Sequence, residues 1–307
     1  MARAFPGGRM TVGAITPLEG FDGPVPTMAD HLARIQQAER AGFASVWVRD
    51  VPLLDPHFGD AGQVFDPWVY LGLLAGQTES ITVGTASTVV PLRHPLDLAK
   101  AAASVDQLTG GRLLLGVATG DRPVEFPAYG LDPELRAERF REAIAYLRGA
   151  LEHRFPRIRS PLGLMDGSTD LLPKPVYARV PLLMTGRGRQ DIEWIAAETD
   201  GWLYYTPPFE QQRLNIARWR RLTAGAERGF KPYAQATYLD LDEDPAAPPR
   251  RIHQGFSVGR DAWLELLRAW EQIGIDQLMI NFKHSRRPVA EVLDELGEYV
   301  LPHFRPG

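Results

Sequence analysis

The chain has 307 residues, no cysteine, a formal charge of −4 and a pI near 6.0. Lack of cysteine removes disulfides, thiolate zinc sites, iron–sulfur clusters and cysteine nucleophiles together, and the slightly acidic balance lacks the basic face that binding to nucleic acid needs. A composition of 44% hydrophobic and 23% charged residues is ordinary for a globular protein; with no apolar run near the roughly 20 residues of a membrane helix, and no apolar core in the opening MARAFPGGRM, a cytoplasmic enzyme is expected, with neither nucleic acid nor membrane as partner.

Short apolar runs alternate with longer amphipathic ones. Residues 10–16 (MTVGAIT) read as a first strand. Thr27, with Asp30 three residues on, marks the start of a helix over 28–41, which Gly42 closes. Residues 45–50 (SVWVRD) form a second strand, and 51–65 a long polar connection. Asp66-Pro67 opens the next helix as cap and first turn. A third strand over 81–89 leads through Arg93-His94-Pro95 into a helix that stops at Gly110-Gly111, and 113–118 is the fourth strand. A charged amphipathic helix covers 133–151, and a Pro- and Gly-rich stretch covers 155–178. The fifth strand is 181–185, followed by a helix at 190–198; the sixth is 201–206, followed by a helix at 209–227. The arginines at 218, 220 and 221 on that helix read as a solvated face. Residues 233–240 form the seventh strand, 242–258 a loop rich in Pro, Asp and Arg, and 277–282 the eighth strand. It lies between two helices whose apolar residues step by three and four, Trp263 to Ile273 and Val289 to Leu301.

Eight strand-like runs with helices between them predict an α/β fold, a TIM (β/α)8 barrel, in one domain spanning 1–307 with inserted segments near 51–65, 152–180 and 242–258. An open doubly wound sheet would want a glycine fingerprint in the first turn, and residues 17–25 have none. In a barrel the ligand groups gather past the carboxyl ends of the strands. Those ends carry Asp50, Ala86, Ser87, Thr119 and Gly120, mostly small or hydroxylic residues suited to a flat polar cofactor. The segment Thr185-Gly186-Arg187-Gly188-Arg189 joins a strand to a helix, so free amides, a helix dipole and two arginines could meet an anion there. Asp50 and His94 are the candidates for chemistry. The loops 51–65, 121–131 and 242–258 are expected around a small-molecule substrate, contributing Phe58, Phe65, Phe126, Tyr129 and Phe256. The seven histidines show no H-x-H or H-E-x-x-H spacing, so no metal site is expected, and the G-x-S-x-G elbow and Walker A sequences are absent.

The run VGTASTVVPLRHPLDLAKAAASVDQLTGGRLLLGVATG resembles the central segment of bacterial luciferase-like flavin-dependent monooxygenases. TGRGRQDIEWIAAETDGWL is similar to that family's phosphate loop and its D-G-W entry to strand six, and the A-E-x-A-G-F-x-S-V-W run before strand two matches a third segment. The resemblance implies a barrel that binds FMN, or in one branch a reduced deazaflavin coenzyme, and a homodimer. By position it implies that Ala86-Ser87 lies behind the flavin ring, often as a non-proline cis peptide. Thr119-Gly120 and Gly186 to Arg189 would hold the ribityl chain and phosphate, with Asp50 at the ring edge. The implied reaction is monooxygenation of a small organic substrate by reduced FMN and dioxygen, the reductant being NAD(P)H or a partner flavin reductase. The alternatives are a flavin or deazaflavin dehydrogenase on the same fold and a non-catalytic flavin-binding paralogue. The family's His-His after the acidic residue of strand two is Val51-Pro52 here, and its strand-four cysteine is Ala118. These departures speak against light emission and leave the general base open.

Overall fold

The computed structural model describes residues 1, 3–226 and 229–304. In chain order the elements begin with β1 (Thr11–Ile15), α1 (His31–Ala41), β2 (Ser45–Val48), α2 (Pro67–Gln77), β3 (Thr82–Thr85), β4 (Thr88–Val89), α3 (Pro95–Leu108), β5 (Leu113–Ala118), α4 (Glu125–Ala128) and α5 (Arg136–Glu152). They continue with β6 (Arg157–Ser160), β7 (Gly163–Asp166), β8 (Leu182–Thr185), α6 (Ile192–Glu198), β9 (Gly201–Tyr205), α7 (Phe209–Thr223), β10 (Tyr233–Leu241), β11 (Arg250–Ile252), β12 (Gly255–Val258), α8 (Arg260–Gln272), β13 (Gln277–Asn281) and α9 (Val289–Glu295). Parallel pairing runs β1-β2-β3-β5-β8-β9-β10-β13 and returns to β1, closing the eight-stranded TIM barrel. Strands covered on both faces carry near-continuous apolar runs, as LLLGVA of β5 does.

Two apolar layers result. Outside, the strands pack against the helices. Inside, Ile15, Trp47, Leu114, Leu183, Leu203 and Met279 fill the barrel, and Ala4 and Phe5 join them. The amino-terminal end is closed by hydrogen bonds: Thr11 Oγ1 donates to the Ala4 carbonyl at 2.5 Å, and Gln277 Nε2 to the same oxygen at 3.1 Å. The opposite end stays open. Among the described residues no helix is long and apolar enough to cross a membrane.

Several expected boundaries move. The first helix begins at His31, because Met28 and Asp30 have φ of 58° and 52°, which an α-helix does not admit. Thr27 caps nothing helical; its hydroxyl accepts the Ala29 amide at 3.1 Å. The expected third strand is interrupted by a cis Ala86–Ser87 peptide and continues as β4, which pairs with β5. The stretch 155–178 contains the β6–β7 hairpin, and the loop 242–258 contains β11 and β12, with β12 adding parallel to β10. The helix expected over 209–227 ends at Thr223, and Glu227 lies outside the described residues. Two of the arginines read as a solvated face make ion pairs: Arg218 with Glu193 and Arg220 with Asp276.

Candidate active site

The carboxyl ends of the barrel strands open into a cavity of about 350 Å³, lined among others by Asp50, Ala86, Ser87, Thr119, Gly120, Thr185, Gly186, Arg187 and Gly188. Its floor is built where β3 gives way to β4. The Ala86 amide donates to the Val48 carbonyl at 2.7 Å, and the Ser87 and Thr185 hydroxyls are hydrogen-bonded to each other across the barrel. This close approach needs a bare strand beside it. A Cβ on Gly116 would lie 1.9 Å from the Thr85 carbonyl oxygen.

Asp50 stands at the end of β2, 7% exposed. Its carboxylate accepts the Val89 amide at 3.0 Å and the Arg93 fork at 3.1 and 2.8 Å. Arg93 also reaches Asp66 at 3.3 Å, the residue that caps α2 through the Trp68 and Val69 amides. Burial pulls the Arg93 guanidinium down, but Asp50 and Asp66 outweigh it and hold it above its ordinary value. Asp50 is therefore a clasp that joins β2, β4 and α2 behind the cavity.

The loop after β8 is shaped as an anion cradle. Gly186 and Gly188 have φ of 60° and 51°, conformations that favour glycine. The Gly186 amide is used by the Leu203 carbonyl and its carbonyl by the Trp202 indole, which fixes the loop's start. Among the described residues the amides of Arg187, Gly188 and Arg189 have no hydrogen-bond acceptor. A Cβ on Gly188 would lie 2.1 Å from Met184 Cε and 3.2 Å from Thr119 Cγ2, so the loop sits directly against the strand-five end. The expected helix dipole is weaker than foreseen. Arg189 has φ of 56° and α6 starts only at Ile192, with seven residues. The loop's own amides, with Arg187, make the site.

The opposite wall comes from the loops 51–65 and 121–131. Asp60, 5% exposed, is paired with Arg49 and, at 3.2 Å, with Lys283. Burial pushes its carboxyl up, but Arg49, the Gly62 amide and Lys283 hold it below the usual range. Arg122 donates to the Asp60 carbonyl at 3.0 Å and lies 5.1 Å from the Phe58 ring centre. Glu125, 2% exposed at the start of α4, faces Arg122 at 3.8 Å, too far for a hydrogen bond. Burial pushes its carboxyl up to about 7; Arg122 pulls the other way, and Asp50 and Asp121 add to the rise. Asp121, Tyr204, Tyr205, Tyr238, Gln254 and Asn281 also line the cavity.

A family model described as luciferase-like monooxygenase matches residues 10–254. The chain belongs to the luciferase-like monooxygenase family. It is 36% identical over 299 residues to an F420-dependent hydroxymycolic acid dehydrogenase of Mycobacterium tuberculosis, a match covering 89% of this chain and 78% of that one. An uncharacterized protein of the same organism is 31% identical over 187 residues, 56% of this chain, and the match spans 66% of that relative's length. Among solved structures, an F420-dependent secondary alcohol dehydrogenase in complex with an F420–acetone adduct superposes with a TM-score of 0.78 at 19% identity, covering 97% of this chain and 100% of that one. The oxygenating constituent of a Pseudomonas putida diketocamphane monooxygenase, in complex with FMN, gives 0.74 at 13% identity, covering 96% and 98%. At such identities the structures share the fold alone. Family membership places the chain among oxidoreductases that work with flavin-type coenzymes.

In this luciferase-like protein nine of the residues singled out in the sequence line one cavity: Asp50, Ala86, Ser87, Thr119, Gly120, Thr185, Gly186, Arg187 and Gly188. Two do not. Arg189 points to solvent, its guanidinium 3.9 Å from Glu134. His94 is the cap of α3: its Nδ1 accepts the Leu96 amide at 3.2 Å and its Nε2 lies 2.8 Å from the Leu162 carbonyl. Of the five loop aromatics, only Phe58 lines the cavity. Phe126 and Phe256 are core, Phe65 packs on His31 and Tyr70, and Tyr129 is exposed. Asp60, Arg122 and Glu125 went unmarked, and Arg49 and Lys283 are legible in the sequence only as residues at the ends of strands two and eight. For Arg122 and Glu125 the one sequence signal is their spacing of three in the segment after strand four.

Proposed function

We propose that the cavity holds a deazaflavin coenzyme and that the protein moves hydride between it and a small organic alcohol or carbonyl compound. The observation that carries this reading is the cradle itself. The amides of Arg187 and Gly188, unpartnered among the described residues, two glycines, and the hydroxyls of Ser87, Thr119 and Thr185 converge on one cavity at the open end of the barrel. Such a set fits a phosphate joined through a polyhydroxylated chain to a flat ring resting on Ala86–Ser87. Bound there, the coenzyme would supply two-electron hydride chemistry. The chain's part would be to anchor the phosphate, orient the ring, keep bulk water out and handle the substrate's proton. The 36% identical relative, an F420-dependent dehydrogenase, moves the weight from FMN to the deazaflavin.

A second reading keeps FMN and dioxygen, with reduced flavin supplied by NAD(P)H or a reductase. It is favoured by the Photorhabdus luminescens alkanal monooxygenase beta chain, 34% identical over 124 residues, 39% of this chain and 37% of that one. Fluorescence titration with each coenzyme, then anaerobic coenzyme reduction by secondary alcohols against substrate-dependent oxygen uptake with reduced FMN, separates the two. Saturable reduction without oxygen supports the dehydrogenase; oxygen uptake alone supports the monooxygenase. A homodimer is part of the proposal. On α2, Val69 is 74% exposed and Leu73 42%, and a Cβ added at Gly72 or Gly76 would meet nothing within 4 Å among the described residues. No packing among the described residues asks for glycine there, and close approach of a second copy would. The absence of cysteine supports a cytoplasmic setting.

A further inference from the structure

We propose that Glu125 is the group that exchanges a proton with the substrate oxygen during hydride transfer. The inference rests on the dehydrogenase reading. Hydride transfer leaves one proton for the protein to handle. When a secondary alcohol is oxidised, the carbinol C–H bond breaks and its electron pair leaves with the hydrogen to the oxidised coenzyme. The C–O bond becomes a carbonyl, and the hydroxyl proton passes to the Glu125 carboxylate, which later releases it to water. In the reverse direction the carboxylic acid returns it.

The acidic side chains that line or adjoin the cavity differ in what they have free. Asp50 is filled by the Val89 amide and both arms of Arg93. Asp60 is held by Arg49, Lys283 and the Gly62 amide. Asp121 is exposed to solvent. Glu125 alone combines burial with a vacant oxygen: Oε1 has no hydrogen-bond partner among the described residues. Its charged neighbours are Arg122 and Asp121 on its own segment and Asp50 at the end of β2. Tyr129 closes α4 nearby and senses the charges of Glu125, Asp50 and Arg93. A carboxyl raised to about 7 is present in both protonation states near neutral pH, as an acid–base group working in both directions needs to be. None of the histidines competes, since His31, His57, His94, His153, His253, His284 and His303 are all absent from the lining.

The test uses the full chain loaded with deazaflavin coenzyme, and compares it with Glu125→Gln and Asp121→Asn. Glu125→Gln should keep coenzyme affinity by fluorescence titration, lower kcat about a hundredfold or more, and abolish the limb of the pH–rate profile near 7. Asp121→Asn should keep that limb. Infrared difference spectra of the coenzyme-free protein between acid and alkaline buffer should show a protonated carboxyl that Glu125→Gln removes. A Gln variant with near-native kcat, or one that keeps both the limb and the infrared band, overturns the proposal. Should Glu125→Gln fail to fold, Glu125→Asp takes its place; the shorter reach should cost at least about tenfold in kcat, and an unchanged rate overturns the assignment. Failure of the coenzyme to bind the wild-type chain sinks the dehydrogenase reading instead, which a normal titration and a silent Glu125 do not.

Discussion

Replacing Asp50 by Ala tests how the floor of the cavity is held. The carboxylate is 1% exposed in its side chain, and its partner Arg93 is 25% exposed. Removing it leaves the Val89 amide without its acceptor, at about 1–3 kcal/mol, and Arg93 with only the more exposed Asp66 at 3.3 Å. Breaking a fully buried pair costs about 3–5 kcal/mol. Because Arg93 is partly solvated, the sum expected here is ~2–4 kcal/mol, a large share of a typical 5–15 kcal/mol stability. Asp50→Asn keeps an acceptor for Val89 and should lose only ~1–2 kcal/mol. Urea denaturation of Asp50→Ala, Arg93→Gln and the double variant gives the coupling directly, expected at ~1–3 kcal/mol. The same variants should bind coenzyme more weakly, since β4 and the Ala86–Ser87 floor hang from the Val89 contact. A loss under ~1 kcal/mol for Asp50→Ala, or a coupling indistinguishable from zero, refutes the clasp.

Gly188→Ala should lose ~1–3 kcal/mol, from a φ of 51° and a Cβ 2.1 Å from Met184 Cε. Isothermal titration should show its coenzyme affinity down more than about tenfold, about 1.4 kcal/mol; native affinity contradicts the cradle. Glu125 also makes stability depend on pH. Its folded value, about 7 against 4.5, lies above the unfolded one, so its contribution is fully present below 4.5 and is lost as pH rises through about 7. Relative to Glu125→Gln, the native chain should therefore lose ~2 kcal/mol across that window, less than the full shift because solvent in the cavity screens the charge; a flat difference in melting temperature contradicts it. Light scattering should find a dimer that Gly72→Leu with Val69→Asp converts to a monomer. A dimer unaffected by both changes moves the interface elsewhere.

The barrel was legible because its parallel strands are buried on both faces and bounded by Gly, Pro and Asp. Runs such as LLLGVA and QLMIN announce themselves, and the stripe of α8 does too. The nine cavity residues found from sequence lie at strand ends, whose position the alternation fixes. Three kinds of feature were hidden. Helix starts depend on single left-handed residues, Met28 and Asp30, that no periodicity reveals. The β6–β7 and β11–β12 hairpins are only three or four residues per strand, and β6 alternates charge with half-buried positions. The cluster of Arg49, Asp60, Arg122, Glu125 and Lys283 at the cavity wall assembles from distant segments, and the Lys283–Asp60 contact alone spans 223 residues. For His94 a histidine before proline at a helix start reads as a residue that orients the loop or as a polar group near the cofactor, and its bond from the Leu96 amide shows the first.

The central claim is that Ser87, Thr119 and the amides of residues 187 and 188 serve one phosphorylated, flavin-type coenzyme. Calorimetric titration of the purified chain with the deazaflavin coenzyme and with FMN measures this directly. The account predicts saturable binding of one coenzyme per chain, tighter for the deazaflavin, that Gly188→Ala weakens. Binding of neither coenzyme, or binding untouched by changes at Ser87, Thr119 and Gly188, contradicts it.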